Sequence, residues 1–315
     1  MPILTLALPI CSRYDDAKLL ILTKGHPMLI QERIQEYMEL VKFEHTIFAL
    51  PFALSAMLLA CAPHAWPTLM QVILVLGAMV GGRTFAMGLN RLIDHEIDGK
   101  NPRTQGRSIP AGRVKLFEAW GLTLLAAALF VGSVWFLPDI CWQLLPVAFV
   151  ILILYSYVKR FSSLAHLVLG LALGSSAVGG WLAVSGELSW LPVIFGFAVV
   201  FWVSGFDIIY ACQDEAFDRA AGLHSIPVAL GAKNALRLSR LFHGVCVGLL
   251  VLFGLEYAHT GFFYWLAVAI VAGMLVYEHR LVKHDDLSRV NEAFFAVNGQ
   301  ISLTVFVLIL LNKLF

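Results

Sequence analysis

Apolar residues run in blocks of about 18 to 22 through most of the chain. Each block is close to the roughly 17 to 25 residues that a helix needs to cross a bilayer. Nine blocks are expected as membrane spans, at about 43–62, 68–89, 116–137, 141–158, 164–184, 190–211, 241–258, 262–279 and 294–311. Two further stretches read differently. Residues 1–10, MPILTLALPI, are apolar but too short to span, and no basic stretch precedes them as in a signal peptide. Residues 28–42, MLIQERIQEYMELVK, alternate apolar and charged positions at helical spacing, which predicts an amphipathic helix lying on a membrane surface.

Composition supports this pattern. Of 315 residues, 59% are hydrophobic and only 14% charged, against about 25% charged in soluble proteins; mean hydropathy is +0.80. The predicted class is all-α, a multi-spanning membrane helix bundle. Residues 1–40 are expected to form a cytoplasmic N-terminal segment with the amphipathic helix, and 41–315 one nine-helix transmembrane domain. The net charge is +1, and no nucleic-acid partner is expected. Of the 22 Lys and Arg residues, 20 fall in the N-terminal segment and in the loops after spans 2, 4, 6 and 8. Basic residues collect on the cytoplasmic side during insertion. The N-terminus and the even-numbered loops are therefore expected in the cytoplasm, in a bacterial-type inner membrane. The five cysteines are scattered, without a CxxC pair, so neither a zinc site nor a disulfide framework is expected.

The acids are concentrated at two places. The second span runs into NRLIDHEIDGKNPRTQGRSIPAG, residues 90–112, and the sixth into YACQDEAFDRAAGLHSIPVALG, residues 210–231. Asn90, Asp94 and Asp98 match Tyr210, Asp214 and Asp218 at a constant offset, and each copy then reaches Ser-Ile-Pro, at 108–110 and 225–227. Such self-similarity marks an internal repeat. Four spans separate the copies, so both emerge on one face and the repeat is parallel.

Residues at i, i+4 and i+8 share one side of a helix, so each acid pair is expected to point one way. If the two helix ends face each other, four carboxylates share a cavity. Two like charges about 6 Å apart at an effective dielectric near 20 repel by roughly 3 kcal/mol. The four therefore need protons or a cation among them. Carboxylates in pairs suit Mg2+, which takes one or two of them and completes its shell with water and phosphate oxygens. Arg103 and Arg107 follow the first pair and suit phosphate oxygens in a fork geometry. Within the spans, Arg83 and Asp207 are ionisable groups of the kind that mark function; the alternative is that they pair with each other and only join two helices. His166 and Glu256 sit near span ends and read as ordinary.

Asn90-x3-Asp94-x3-Asp98, then Arg103-Thr104 and Arg107, and later Asp207-x2-Tyr210-x3-Asp214-x3-Asp218, resemble the two acidic motifs of the UbiA superfamily of intramembrane prenyltransferases. The resemblance covers roughly residues 40 to 315. It implies a polyprenyl diphosphate bound through Mg2+, with Asp94, Asp98, Asp214 and Asp218 as metal ligands and Asn90 and Tyr210 lining the same site. It further implies Arg103 and Arg107 on the diphosphate, Arg83 near the acceptor or the diphosphate, and a phenolic aromatic acid alkylated in a cavity that opens to lipid. Asp207 is a candidate base. Two positions depart from the family pattern: Arg91 stands where many members have Asp, and His224 where many have Lys. The phrases AVGGWLAVSG and FDRAAGLHSIP resemble the branch acting on 4-hydroxybenzoate and, as an alternative, on 1,4-dihydroxy-6-naphthoate of the futalosine route to menaquinone. A cation-coupled transporter is the alternative from another class. Transporters place their binding groups near the bilayer midplane, whereas these acids sit at helix ends beside basic loops. Chain length of the prenyl donor and oligomeric state are not encoded in any readable motif.

Overall fold

The computed structural model describes residues 30–42 and 46–315. The expectations for residues 1–10, and for the rest of the segment before Ile30, lie outside the described residues. The chain is helical throughout, with a single isolated β-bridge between Lys283 and Asp286 among the described residues. Its helices are α1 (Ile30–Leu40), α2 (Thr46–Ala60), α3 (Leu69–Lys100), α4 (Leu116–Trp135), α5 (Asp139–Val158), α6 (Ala165–Ser185) and α7 (Trp190–Ala211). A 3-10 turn, Cys212–Asp214, leads into the short α8 (Glu215–Ala220). Then follow α9 (Ile226–Glu256), α10 (Phe262–Leu281), a π-helical turn at Glu292–Val297 and α11 (Asn298–Leu314).

Among the described residues, eight helical segments are long and apolar enough to cross a membrane. The first of the nine expected spans is different. Its described part is α2, Thr46–Ala60, and residues 43–45 of that block lie outside the described residues. Two other helices outrun their expected bounds. α3 continues eleven residues past the membrane-length block, to Lys100, because no Gly or Pro interrupts RLIDHEID. α9 begins at Ile226, where Ser225 caps it through the Val228 N–H, and bends at Gly231, whose φ of 74° is left-handed and suits glycine.

The two halves pack alike. α3 lies along α4 in the first half, and α7 lies along α9 in the second. The α3–α4 contact is close because Gly81 faces the α4 backbone; a Cβ there would sit 2.6 Å from Phe130 N and 2.8 Å from Ala126 O. Gly180 on α6 admits the backbone of α2 at Ala53 in the same way. Small residues that let helix backbones meet are the usual device where lipid removes the hydrophobic drive between helices. Leu124 and Leu125 on α4 and Val147 and Val150 on α5 remain exposed, as lipid-facing side chains do. Trp66, Trp135, Trp142 and Trp190 are also exposed. All four belong to the end of the bundle remote from the acids, as in an interfacial aromatic belt.

The buried apolar residues fall into separate clusters. The largest joins α2, α6, α7, α9, α10 and α11. A smaller one, Phe85, Leu89 and Ala126 with Phe149 and Leu152, belongs to α3, α4 and α5. A chamber of about 360 Å3 lies between these groups.

Candidate active site

The α-helix that carries Asn90, Asp94 and Asp98 presents them on successive turns, and all three are buried. A buried carboxylate needs counter-charge or hydrogen bonds, and each finds both. Asp94 accepts from the Asn90 Nδ2 at 2.9 Å and from the Arg160 Nη2 at 2.8 Å, and it forms a short ion pair with Lys159. Asp98 accepts from the Arg107 Nη1 through both oxygens, at 2.6 and 2.7 Å, with Arg91 Nη1 at 3.8 Å. The loop after α3 is folded onto the same helix end: Thr104 Oγ1 donates to the Asp98 carbonyl at 3.0 Å, and Asn101 Oδ1 accepts from the Arg103 N–H at 2.9 Å.

Arg103 is the bridge between the two halves. Its Nε and Nη2 fork onto Asp214 at 2.8 and 2.5 Å, and its Nη1 donates to the Tyr210 hydroxyl at 3.1 Å. Its guanidinium carbon stands 5.3 Å from the Tyr210 ring centre. Asp218 lies within the electrostatic reach of Asp214, Lys159, His166 and Arg103, so both acidic motifs meet at one end of the bundle. The second motif does not follow the single helical stripe expected for it. The α-helix ends at Ala211, and the tighter 3-10 turn carries Asp214 before α8 begins. At about 3.0 rather than 3.6 residues per turn, Asp214 swings toward the Arg103 fork.

Arg83 and Asp207 do not pair with each other. Arg83 Nη2 donates to the Lys42 carbonyl at 3.2 Å, and its buried Nε has no hydrogen-bond partner. Asp207 instead accepts from His166 Nδ1 at 2.7 Å. The His166 Nε2 accepts from the Ile226 N–H at 3.4 Å, which leaves the ring proton on Nδ1. His166, expected to be ordinary, is thus the partner of a candidate base. His224 is exposed, and its backbone N–H donates to the Lys159 carbonyl at 2.7 Å. Lys159 and Arg160 were not singled out by the sequence pattern. A Lys-Arg pair at the end of a span is the ordinary mark of the cytoplasmic side, and nothing in its spacing announces that it reaches Asp94.

The chamber begins just below this charged end. On α3 its wall carries Gly82, Arg83, Ala86 and Met87, one to two turns before Asn90. On α5 the wall includes Tyr155, one turn before Lys159. Apart from Ser175 and Ser176, the remaining lining, from Val75 through Phe130, Leu144 and Ile151 to Leu173 and Val200, is apolar. A second hollow of about 410 Å3 lies at the opposite end of the bundle. There Lys313 and Asn312 are engaged by the Cys61, Ala62 and His259 carbonyls and the Gly261 N–H.

Fold and site together define an intramembrane enzyme in which an ion-paired acidic end adjoins an apolar chamber. The family model described as the UbiA prenyltransferase family matches residues 49–303, and the chain belongs to that family. A 4-hydroxybenzoate octaprenyltransferase of Vibrio campbellii is 28% identical over 272 residues, 85% of this chain and 94% of that protein. One from Aromatoleum aromaticum is 26% identical over 290 residues, 91% of this chain and 97% of its own. Among solved structures, a UbiA homolog from Aeropyrum pernix in its apo form superposes with a TM-score of 0.77 at 37% identity, covering 85% of this chain and 98% of that one. A UbiA homolog from Archaeoglobus fulgidus bound to DMAPP and Mg2+ shares the fold, with a TM-score of 0.72 at 19% identity over 88% of this chain and 99% of that one.

Proposed function

We propose that this enzyme transfers a polyprenyl group from a polyprenyl diphosphate to a phenolic aromatic acid, with 4-hydroxybenzoate as the acceptor. The observation that carries this reading is the junction of the charged end with the chamber. Asp94, Asp98, Asp214 and Asp218, with Lys159, Arg160, Arg103 and Arg107 among them, stand directly above an apolar cavity whose wall holds Arg83 and Tyr155. An anionic head attached to a hydrocarbon tail is the substrate that such a junction suits. The names of the Vibrio and Aromatoleum relatives support the acceptor.

The donor set fits magnesium. Carboxylate oxygens are hard donors, and Mg2+ commonly takes only one or two of them, with phosphate and water completing the shell. Among the described residues, no three acids, histidines or cysteines stand close enough to cage an ion unaided. Asp94, Asp98, Asp214 and Asp218 would hold the metal, and the bound ion supplies positive charge for the diphosphate oxygens. The Archaeoglobus homolog bound to DMAPP and Mg2+ supports a divalent metal together with a prenyl diphosphate.

The protein's own groups account for the remaining steps. Arg103, Arg107, Lys159 and Arg160 supply cationic donors that stabilise charge building on the leaving diphosphate. As the C1–O bond breaks, its electron pair leaves with the diphosphate oxygen, and an allylic cation remains in the chamber. The apolar walls exclude water that would capture that cation. The unpartnered Nε of Arg83 is a ready donor for the acceptor's carboxylate. Ring carbon attack forms the new C–C bond, and the displaced ring proton passes to Asp207, whose carboxylate His166 orients.

The charge bias of the loops supports an orientation with the acidic end and α1 facing the cytoplasm, in a bacterial-type inner membrane. The test is a competition. Purified protein in detergent receives geranyl diphosphate, Mg2+, 4-hydroxybenzoate and 1,4-dihydroxy-6-naphthoate, and products are weighed by mass spectrometry. Prenylated hydroxybenzoate is expected. Prenylated naphthoate as the main product would shift the acceptor, and no product with either would overturn prenyl transfer to phenolic acids.

A further inference from the structure

Away from the acids, a buried polar network links α7, α10 and α11. Asn298 is fully buried at the start of α11, and every group of its amide is used. Its Oδ1 accepts from Trp202 Nε1 at 2.8 Å. Its Nδ2 donates to Glu278 Oε1 at 2.8 Å and to the carbonyls of Ala293 and Phe294 at 3.0 and 3.3 Å. Those two carbonyls belong to the π-helical turn Glu292–Val297. A π turn leaves the ordinary i to i−4 ladder, and it persists where side chains satisfy the backbone groups so released. Asn298 does this, and the fully buried Glu278 fixes which way its amide points.

The turn also has a consequence at the site. It holds the Phe294 ring 4.2 Å from the Tyr210 ring, tilted by 34°, and Phe295 meets Tyr210 edge-on at 6.2 Å. The Tyr210 hydroxyl is where Arg103 donates while it forks onto Asp214. A regular α-helical turn would carry Phe294 about 100° around the axis per displaced residue, away from Tyr210.

We propose that Asn298 and Glu278 are positioning residues for the second acidic motif. They hold the π turn, the turn sets Phe294 against Tyr210, and Tyr210 thereby keeps Arg103 aligned on Asp214. This rests on the prenyl-transfer reading for its consequence, though not for its geometry. Glu278→Gln serves as the conservative variant, because its Oε1 still accepts from Asn298.

The experiment places 3-fluorotyrosine at position 210 and measures its 19F resonance. In parallel it measures the Kd of geranyl S-thiolodiphosphate with Mg2+ for wild type, Asn298→Ala, Glu278→Ala, Glu278→Gln and Tyr210→Phe, each checked for folding by size exclusion. Asn298→Ala and Glu278→Ala should move the resonance and raise Kd at least tenfold, and Glu278→Gln should stay within about twofold. In the Tyr210→Phe background, Asn298→Ala should add less than twofold. An unmoved resonance in whichever alanine variant folds, or costs that multiply fully with Tyr210→Phe, would overturn the proposal. Wild-type protein that binds the analogue but forms no product would sink the transfer reading alone, because the resonance reports on position 210 without turnover.

Discussion

Lys159 forms a short ion pair with Asp94, joining the end of α5 to the last turns of α3 across 65 residues of sequence. The Asp94 side chain is 1% exposed and that of Lys159 29%, so the acid is fixed in the protein while the ammonium reaches it from the rim. A cation held this way can serve either the carboxylate or an incoming phosphate. Replacing Lys159 with Met is expected to raise KM for the prenyl diphosphate about 10- to 150-fold, the worth of one charged hydrogen bond of about 1.5 to 3 kcal/mol. KM for the acceptor should change little. Steady-state kinetics with each substrate varied in turn checks this.

Chelation by EDTA should abolish transfer, and added Mg2+ should restore it. Asp98→Asn and Asp214→Asn should each lower turnover at least a hundredfold, since a carboxamide is a poor magnesium ligand. Both should also raise the Mg2+ concentration needed for half-maximal rate. An Mg2+ titration of each variant, with size exclusion as the folding control, measures this. Similar losses in both variants would link the two halves, as the Arg103 bridge to Asp214 requires.

Arg83→Met tests the acceptor end. With the guanidinium gone, KM for 4-hydroxybenzoate should rise at least tenfold, while KM for the prenyl diphosphate stays near wild type. Discrimination between 4-hydroxybenzoate and plain phenol should shrink by the same factor, because phenol has no carboxylate to lose. Competition between the two acceptors gives the ratio directly.

Gly81→Ala should lower the melting temperature of the detergent-solubilised protein, because its methyl group would press on the α4 backbone at Phe130 and Ala126. Forcing a methyl into a packed contact costs about 1 to 3 kcal/mol. Gly121→Ala is the matched control: a Cβ there meets nothing within 4 Å, and its melting temperature should hold or rise. Thermal scans of the two side by side decide it.

The spans and the acid pairs were legible in the sequence because each leaves a local, periodic trace. A block such as 190–211 must be apolar wherever it packs, and Asn90, Asp94 and Asp98 fall on one face of any α-helix that contains them. The second copy was legible as a repeat but not as a shape. Its 3-10 turn at Cys212–Asp214 depends on where Arg103, from a loop more than a hundred residues earlier, finds Asp214.

The sequence by itself determined the class of the protein, the grouping of its basic residues into alternate loops, the repeat and its two acidic motifs. These follow from hydropathy and spacing, which act between near neighbours. Only the tertiary structure decided which cation holds which acid, that His166 rather than Arg83 partners Asp207, and that a buried amide on α11 shapes the turn beside Tyr210. Those choices are made where helices distant in sequence meet and a buried polar group takes whichever partner packing brings within reach.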